Sequence, residues 1–335
     1  MIRLSPPPFS TDAIPKFEAA VAKATGTKYA LATSSGTAAI HLALMTVGVG
    51  PGDMVLCPTF TFAATAFPIR YCGATPVFID CDHKWDIDVK LVAKYLKDNR
   101  PPKAIICVDL YGNCNGHGKL RRLCNNYSIP IIEDAAEGLG ASWKGKEAGS
   151  FGSIGIISFN LNKIVTAGGG GALVSDTGHF VGNAQYLANQ AKTNASWYQH
   201  NEIGYNYRMP NSVAECGIGQ IGQLQAKVAE RRAVNQMYRK HLPPRFFPRS
   251  HEGHTHWLTV IKHPNPAGVR GMLERDGIES RRTWKPLHLQ PCFEGCRFMG
   301  TSRSVEVFAN TLCLPSCHVT EDDVRRICKI LMENL

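Results

Sequence analysis

Short, unbroken apolar segments alternate with stretches of helical periodicity along the first half of the chain, and this alternation limits the fold more than any other feature. Tyr29 to Thr33, Met54 to Cys57, Pro76 to Asp80, Ala104 to Val108, Pro130 to Asp134 and Ile154 to Phe159 lack the polar alternation of a half-solvated strand. Strands that are apolar throughout must be covered on both faces, which calls for a mostly parallel, doubly wound sheet. Pro130 opens its segment, where the missing N–H is tolerated. The spacing predicts helices from Thr11 or Asp12 to Ala24, after Ala39, from Phe60 towards Gly73, over Val89 to Leu96 and over Lys119 to Asn126. A single long helix is expected over Ser212 to Leu242, with Ile218, Ile221, Leu224 and Val228 on one face. The expected architecture is α/β, with a large sheet domain over residues 1–225 and a smaller C-terminal α/β domain over residues 226–335.

In such sheets a site forms beyond the carboxyl ends of the strands. Ser34-Ser35-Gly36-Thr37-Ala38-Ala39 joins a strand to a helix, and the free N–H groups of a first helical turn attract anions. A plain turn would look the same. Asp134 ends a buried strand and could either face a cation or cap the next helix. Lys163 lies in a polar turn between apolar segments and is followed by Gly168 to Gly171. A desolvated lysine can capture a carbonyl, whereas a solvated one is inert. Taken alone, Lys163 reads as surface charge. Gly204-Tyr205-Asn206-Tyr207-Arg208 breaks periodicity and reads as a contact surface or a plain loop.

Composition removes other classes. The formal charge of +10 suits an anionic partner, yet no basic run exceeds two residues and no nucleic-acid motif occurs, so a nucleotide-bearing small molecule fits better than nucleic acid. No apolar run reaches the length needed to span a bilayer, and a cytoplasmic location without membrane contact is expected. The 12 cysteines are scattered and read as buried or free thiols. His251, His254 and His256, and Cys292, Cys296, Cys313, Cys317 and His318, sit too loosely for a zinc site, so no metal is expected. The four glycines come after the lysine and do not open a helix after an early strand, so the dinucleotide fingerprint is absent.

Together, Ser34 to Ala39, Ile132-Glu133-Asp134-Ala135-Ala136-Glu137, Ser158-Phe159-Asn160 to Lys163 with its glycines, and Gly204 to Arg208 resemble the pyridoxal-phosphate-dependent sugar aminotransferases of the DegT/DnrJ/StrS type. The resemblance implies a fold-type I aminotransferase. It is closest to enzymes that aminate C4 of UDP-linked 4-keto-6-deoxy-N-acetylglucosamine, through Pro76 to Asp82, Leu110 to Asn113 and Trp284 to Pro291. GDP- and dTDP-linked acceptors, and a catalytically inactive binding protein of the same fold, are the alternatives. It further implies that Lys163 anchors the cofactor aldehyde and moves a proton, and that Asp134 pairs with the pyridine nitrogen. Gly36, Thr37, Ala38 and Ser158 would take the phosphate, together with Asn206 from the second subunit of a homodimer with shared active sites. Phe62 would stack on the ring, and Glu137 would lie near its phenolic oxygen. Tyr207, Arg208 and His288 would meet the nucleotide sugar, with L-glutamate as donor and the glycines leaving room for cofactor and sugar. Two departures stand out. A helix and a Gly-containing loop usual between the Leu4-Ser5-Pro6-Pro7 segment and the helix near Phe17 are missing, and Asn113 to Gly118 lacks the usual acidic residue and Met.

Overall fold

The computed structural model describes residues 12–115 and 117–335. The Leu4 to Pro7 segment, where the first departure begins, lies outside the described residues.

Eight strands form the main sheet in the order β1-β9-β8-β5-β4-β2-β3-β12. They are β1 (Tyr29–Thr33), β2 (Met54–Pro58), β3 (Thr75–Ile79), β4 (Ala104–Val108), β5 (Ile131–Asp134), β8 (Ile154–Ser158), β9 (Gly171–Ser175) and β12 (Phe298–Met299). Only the pairings that involve β9 are antiparallel. The remaining strands are β6 (Ser142–Trp143) with β7 (Lys146–Glu147), and β10 (Thr259–Lys262), β11 (Arg281–Arg282) and β13 (Thr311–Leu314), which make a three-stranded antiparallel sheet.

All five residues of β4, β8 and β9 are buried, and the pleat sends alternate side chains to opposite faces. Ala104 and Ile106 join the core beneath α2 (Gly36–Thr46), α3 (Phe67–Tyr71) and α6 (Gly178–Ala188), whereas Ile105 and Cys107 join the core beneath α4 (Val89–Asp98) and α5 (Gly118–Asn125). Each strand therefore needs no polar face, as its sequence indicates. Glu133, buried on β5, accepts the N–H groups of Gly149 (2.6 Å), Phe151 (2.5 Å) and Gly152 (2.8 Å), which ties the turn before β8 to its neighbour strand. α1 (Ala13–Thr25) places Phe17 edge-on against Phe159, with ring centroids 4.9 Å apart.

Two expectations change. The long helix is two, α7 (Asn211–Ile221) and α8 (Leu224–His241), because Gly222 and Gln223 form a turn in which the Gln223 N–H bonds back to the Gln220 carbonyl at 3.0 Å. The Phe60 to Gly73 helix is a 3₁₀ turn over Ala63–Thr65 and then α3, whose first turn Pro68 fixes. In addition, β12 returns late in the chain to pair with β3 in the main sheet. α9 (Pro266–Arg275), α10 (Arg303–Ala309) and α11 (Glu321–Glu333) complete the fold, and α8, α9 and α11 pack Tyr238, Leu273 and Leu331 with the small sheet in a separate cluster. No helix among the described residues is long and apolar enough to cross a membrane.

Candidate active site

The carboxyl ends of β2, β4, β5 and β8 point to the same edge of the sheet, and a cavity of about 310 Å³ opens there. Gly36, Thr37, Phe62, Asp134, Glu137, Ser158 and Lys163 all line it. Residues as distant in the chain as Gly36 and Lys163 thus converge on one volume.

At one end stands the first turn of α2. Ser35 caps it, accepting the Ala38 N–H at 3.0 Å. The Ala38 amide is therefore spoken for, and Ala38 does not line the cavity, which leaves Gly36 and Thr37 as the cavity-facing part of the turn. Gly170 and Gly171 press against this turn. A Cβ at Gly170 would collide with the Met209 side chain, and one at Gly171 with the backbone of Ser35 and Gly36. These two glycines permit close backbone approach and do not make open room; Gly168 and Gly169 alone of the four have empty space beside them.

Asp134 is buried, with Oδ2 accepting from Thr65 Oγ1 at 2.7 Å and Oδ1 from the Ala136 N–H at 3.2 Å. It does cap the turn after the strand, as one reading of the sequence allows, and it also faces the cavity. Burial raises its pKa above the ordinary carboxylate range, opposed by Thr65, Ala136 and the nearby Lys163 ammonium. Thr65 is in turn paired with Thr61, their hydroxyls 2.9 Å apart.

Lys163 sits in a loop closed at its base. Phe159 donates its N–H to the Gly170 carbonyl and accepts from Ala167 N–H, both at 3.0 Å. Trp257, from far along the chain, donates its indole N–H to the Asn162 carbonyl at 2.7 Å, and Lys163 Nζ lies 4.3 Å from its ring centroid. Tyr111 stacks between Trp257 and Trp284, at 6.4 and 6.0 Å. Trp284 then meets Phe62 at 5.0 Å on the cavity wall.

Glu137 accepts the Tyr111 N–H at 2.7 Å, and burial, opposed by Lys163, pushes its pKa up to about 7 from an ordinary 4.5. Between those values the folded chain keeps a proton that the unfolded chain has lost, so the contribution of Glu137 to stability is full below 4.5 and is lost as pH rises through about 7. In cofactor-free protein, Glu137→Gln is expected to flatten the fall in Tm between pH 5 and pH 8. Parallel Tm–pH curves for both proteins would refute this assignment.

Lys163 also borders a larger cavity of about 520 Å³, whose wall carries Lys227, Arg231, Arg281 and Arg282 against two acids, Glu230 and Glu279, the latter paired with Arg281. The remaining expected residues line neither cavity in this chain. Asn206 is exposed and bridges to Asn189. Tyr207 stacks on Tyr205 at 5.0 Å, with its hydroxyl 3.3 Å from His41 Nδ1. Arg208 lies beside Thr33, and His288 bonds Thr59 Oγ1 through Nδ1 at 2.7 Å while stacking on Phe298. Sequence reasoning misses Thr65, Trp257 and Trp284 as members of the site. Trp284 falls in a matched segment, but neither Thr65 nor Trp257 carries a local signal. The second departure is occupied by His117, whose Nε2 lies 2.9 Å from the buried Asp109. Among the described residues, no group of three or more His, Cys, Asp or Glu is placed to hold a metal.

The profile of the DegT/DnrJ/EryC1/StrS aminotransferase family matches residues 10–332. A Bacillus subtilis protein named as a pyridoxal phosphate-dependent aminotransferase, EpsN, is 42% identical, over 94% of this chain and 86% of its own. The GDP-perosamine synthase of Vibrio cholerae is 34% identical over 84% of this chain and 79% of its own. The crystal structure of a DegT DnrJ EryC1 StrS aminotransferase from Brucella abortus superposes with a TM-score of 0.91 at 28% identity, covering 97% of this chain and 91% of that one.

Proposed function

This chain belongs to the DegT/DnrJ/EryC1/StrS aminotransferase family and is a pyridoxal-phosphate-dependent enzyme, and from that premise we propose that it transfers an amino group from L-glutamate to C4 of a nucleotide-linked 4-keto-6-deoxy sugar, foremost UDP-4-keto-6-deoxy-N-acetylglucosamine. The observation that carries this reading is the convergence of an amine, a buried carboxylate and a helix N-terminus on one cavity that meets a larger, cation-lined cavity at Lys163.

The residues fit the cofactor. The first turn of α2, with Ser158, suits a phosphate, Asp134 suits a protonated ring nitrogen, and Phe62 offers an aromatic wall. Bound pyridoxal phosphate supplies an electron sink for negative charge on a neighbouring carbon. Lys163 Nζ would attach the cofactor covalently through its aldehyde, and the same amine would serve as the base that moves a proton at the substrate carbon. Thr65 keeps one carboxylate oxygen of Asp134 oriented by donating to it. Glu137, on the same cavity wall as Lys163, would offer its carboxyl to the cofactor's phenolic oxygen. Trp257 holds the lysine's loop and shields one side of its amine from water.

The larger cavity would hold the nucleotide sugar, with Lys227, Arg231, Arg281 and Arg282 facing its diphosphate. Asn206 would complete the phosphate site of a second copy in a homodimer, with Tyr207 and Arg208 beside it and His288 at the edge of the sugar. The exposure of Asn206, and of Trp197 (65%), Tyr198 (81%) and Ile203 (82%) before it, supports that assignment.

A second reading takes a GDP-linked acceptor, favoured by the 34% identity to the Vibrio cholerae GDP-perosamine synthase. Product analysis with L-glutamate and UDP-, GDP- or dTDP-linked 4-keto-6-deoxy sugars separates them. A 4-amino sugar is expected first from the UDP compound. Equal turnover of all three would remove the uridine assignment, and no amino transfer to any would overturn the function.

A further inference from the structure

A third cavity, of about 380 Å³, opens away from the site, between the Asp82 to Asp86 turn, the 248–249 segment, the end of β10 and one face of α10. Its wall carries Lys84, Arg249, Lys262 and Arg303 against a single acid, Glu306. All four cations are exposed, and none forms an ion pair among the described residues. An excess of three positive charges around one concave surface raises the local concentration of anions.

The backbone beneath these side chains is fixed. Buried Asp80 accepts the N–H groups of Thr301 (3.1 Å), Arg303 (2.9 Å) and Ser304 (2.9 Å), which pins the start of α10. From there Arg303, Glu306 and Asn310 succeed one another at helical spacing along the cavity. On the opposite wall Asp82 Oδ1 accepts from Lys84 N–H (2.7 Å) and Asp86 N–H (3.3 Å), holding the turn that presents Lys84 and Trp85. Trp85 adopts φ of 72°, unusual for a large side chain, and its ring meets Phe60 edge-on at 6.0 Å. The backbone anchors are preset, which lowers the ordering cost of binding, and the four charged ends form no ion pair among the described residues.

We propose that this cavity binds a nucleoside phosphate at a site separate from the one that holds the reacting nucleotide sugar. Lys84, Arg249, Lys262 and Arg303 meet the phosphates, and the base lies against Trp85, since a base and an indole stack whatever the identity of the base. The volume lies within the range of small-ligand sites, about 300–1,000 Å³. The inference stands on the cavity's own residues and does not require the amino-transfer reading.

Calorimetric titration of the cofactor-loaded protein with UDP, and separately with ADP, tests it. A saturable component is expected that Lys262→Glu and Arg303→Glu each weaken about tenfold or more. Arg231→Glu, in the cavity beside Lys163, is expected to leave that component unchanged. Isotherms that are identical in wild type, Lys262→Glu and Arg303→Glu for both nucleotides overturn the proposal. Inorganic diphosphate is expected to bind more weakly than UDP, with Trp85→Ala removing the difference; diphosphate binding as tightly as UDP to the wild type overturns the assignment of the nucleoside to Trp85.

Discussion

Lys163→Ala is expected to lower kcat by about 10⁴-fold or more, because in the proposed function it removes both the covalent anchor and the proton carrier, and groups that act as a unit lose most of their effect together. Among the described residues, no other amine takes the same place against the Trp257 ring, at 4.3 Å. The side chain borders two cavities and lies outside the cores, so the variant should fold. Single-turnover kinetics with L-glutamate, read together with the cofactor's visible absorbance after dialysis, checks this. Loss of the absorbance and of turnover in a protein of unchanged Tm is the expected outcome. Turnover near the wild-type rate would mean that the cofactor is held elsewhere.

Asp134→Asn is expected to cost about 10²- to 10³-fold in kcat, in the range seen when one preorganised electrostatic group is removed from a catalytic site. The amide keeps the shape and can still pair with Thr65 and Ala136, but it carries no charge to hold a proton on the ring nitrogen. Thr65→Val should act in the same direction and by less, about tenfold, since it removes a single hydrogen bond to a charged group. The ranking is the informative part. A Thr65→Val defect as large as that of Asp134→Asn would show that the threonine acts on something other than the carboxylate.

The strands are legible because parallel packing leaves them no polar face. β4, buried at all five residues, has the sequence Ala104-Ile-Ile-Cys-Val108, which no solvated strand could carry. Asp134 and Lys163 sit at the ends of such runs, but neither is legible alone: Asp134 also caps its turn, and Lys163 reads as surface charge until the four segments are taken together. Thr65 has no comparable signal. Its partner lies 69 residues away, and its local segment reads only as the start of a helix. Trp257 is joined to Asn162 across 95 residues, and one buried tryptophan looks like another until the loop beneath it is seen. In sequence the Ala38 amide looks free for an anion, because Ser35 is not recognisable as its cap without the turn's geometry. Gly170 and Gly171 read as open space, whereas the fold uses them to bring β9 against α2. The break between α7 and α8 is a further case, since apolar periodicity continues through Gly222 and only the hydrogen-bond pattern is interrupted at Gly222 and Gln223.

The bond from Trp257 to the Asn162 carbonyl also sets an order of events in time. Translation reaches Asn162 and Lys163 well before Trp257 and Trp284 exist, and the parallel sheet's non-local pairings already make such folding slow. A nascent chain that has emerged as far as α8 has Lys163 on a loop closed only at its base, by the bonds of Phe159 with Gly170 and Ala167. The bond from Trp257 to the loop and its ring beside Lys163 can be added only after the chain has been made beyond residue 257.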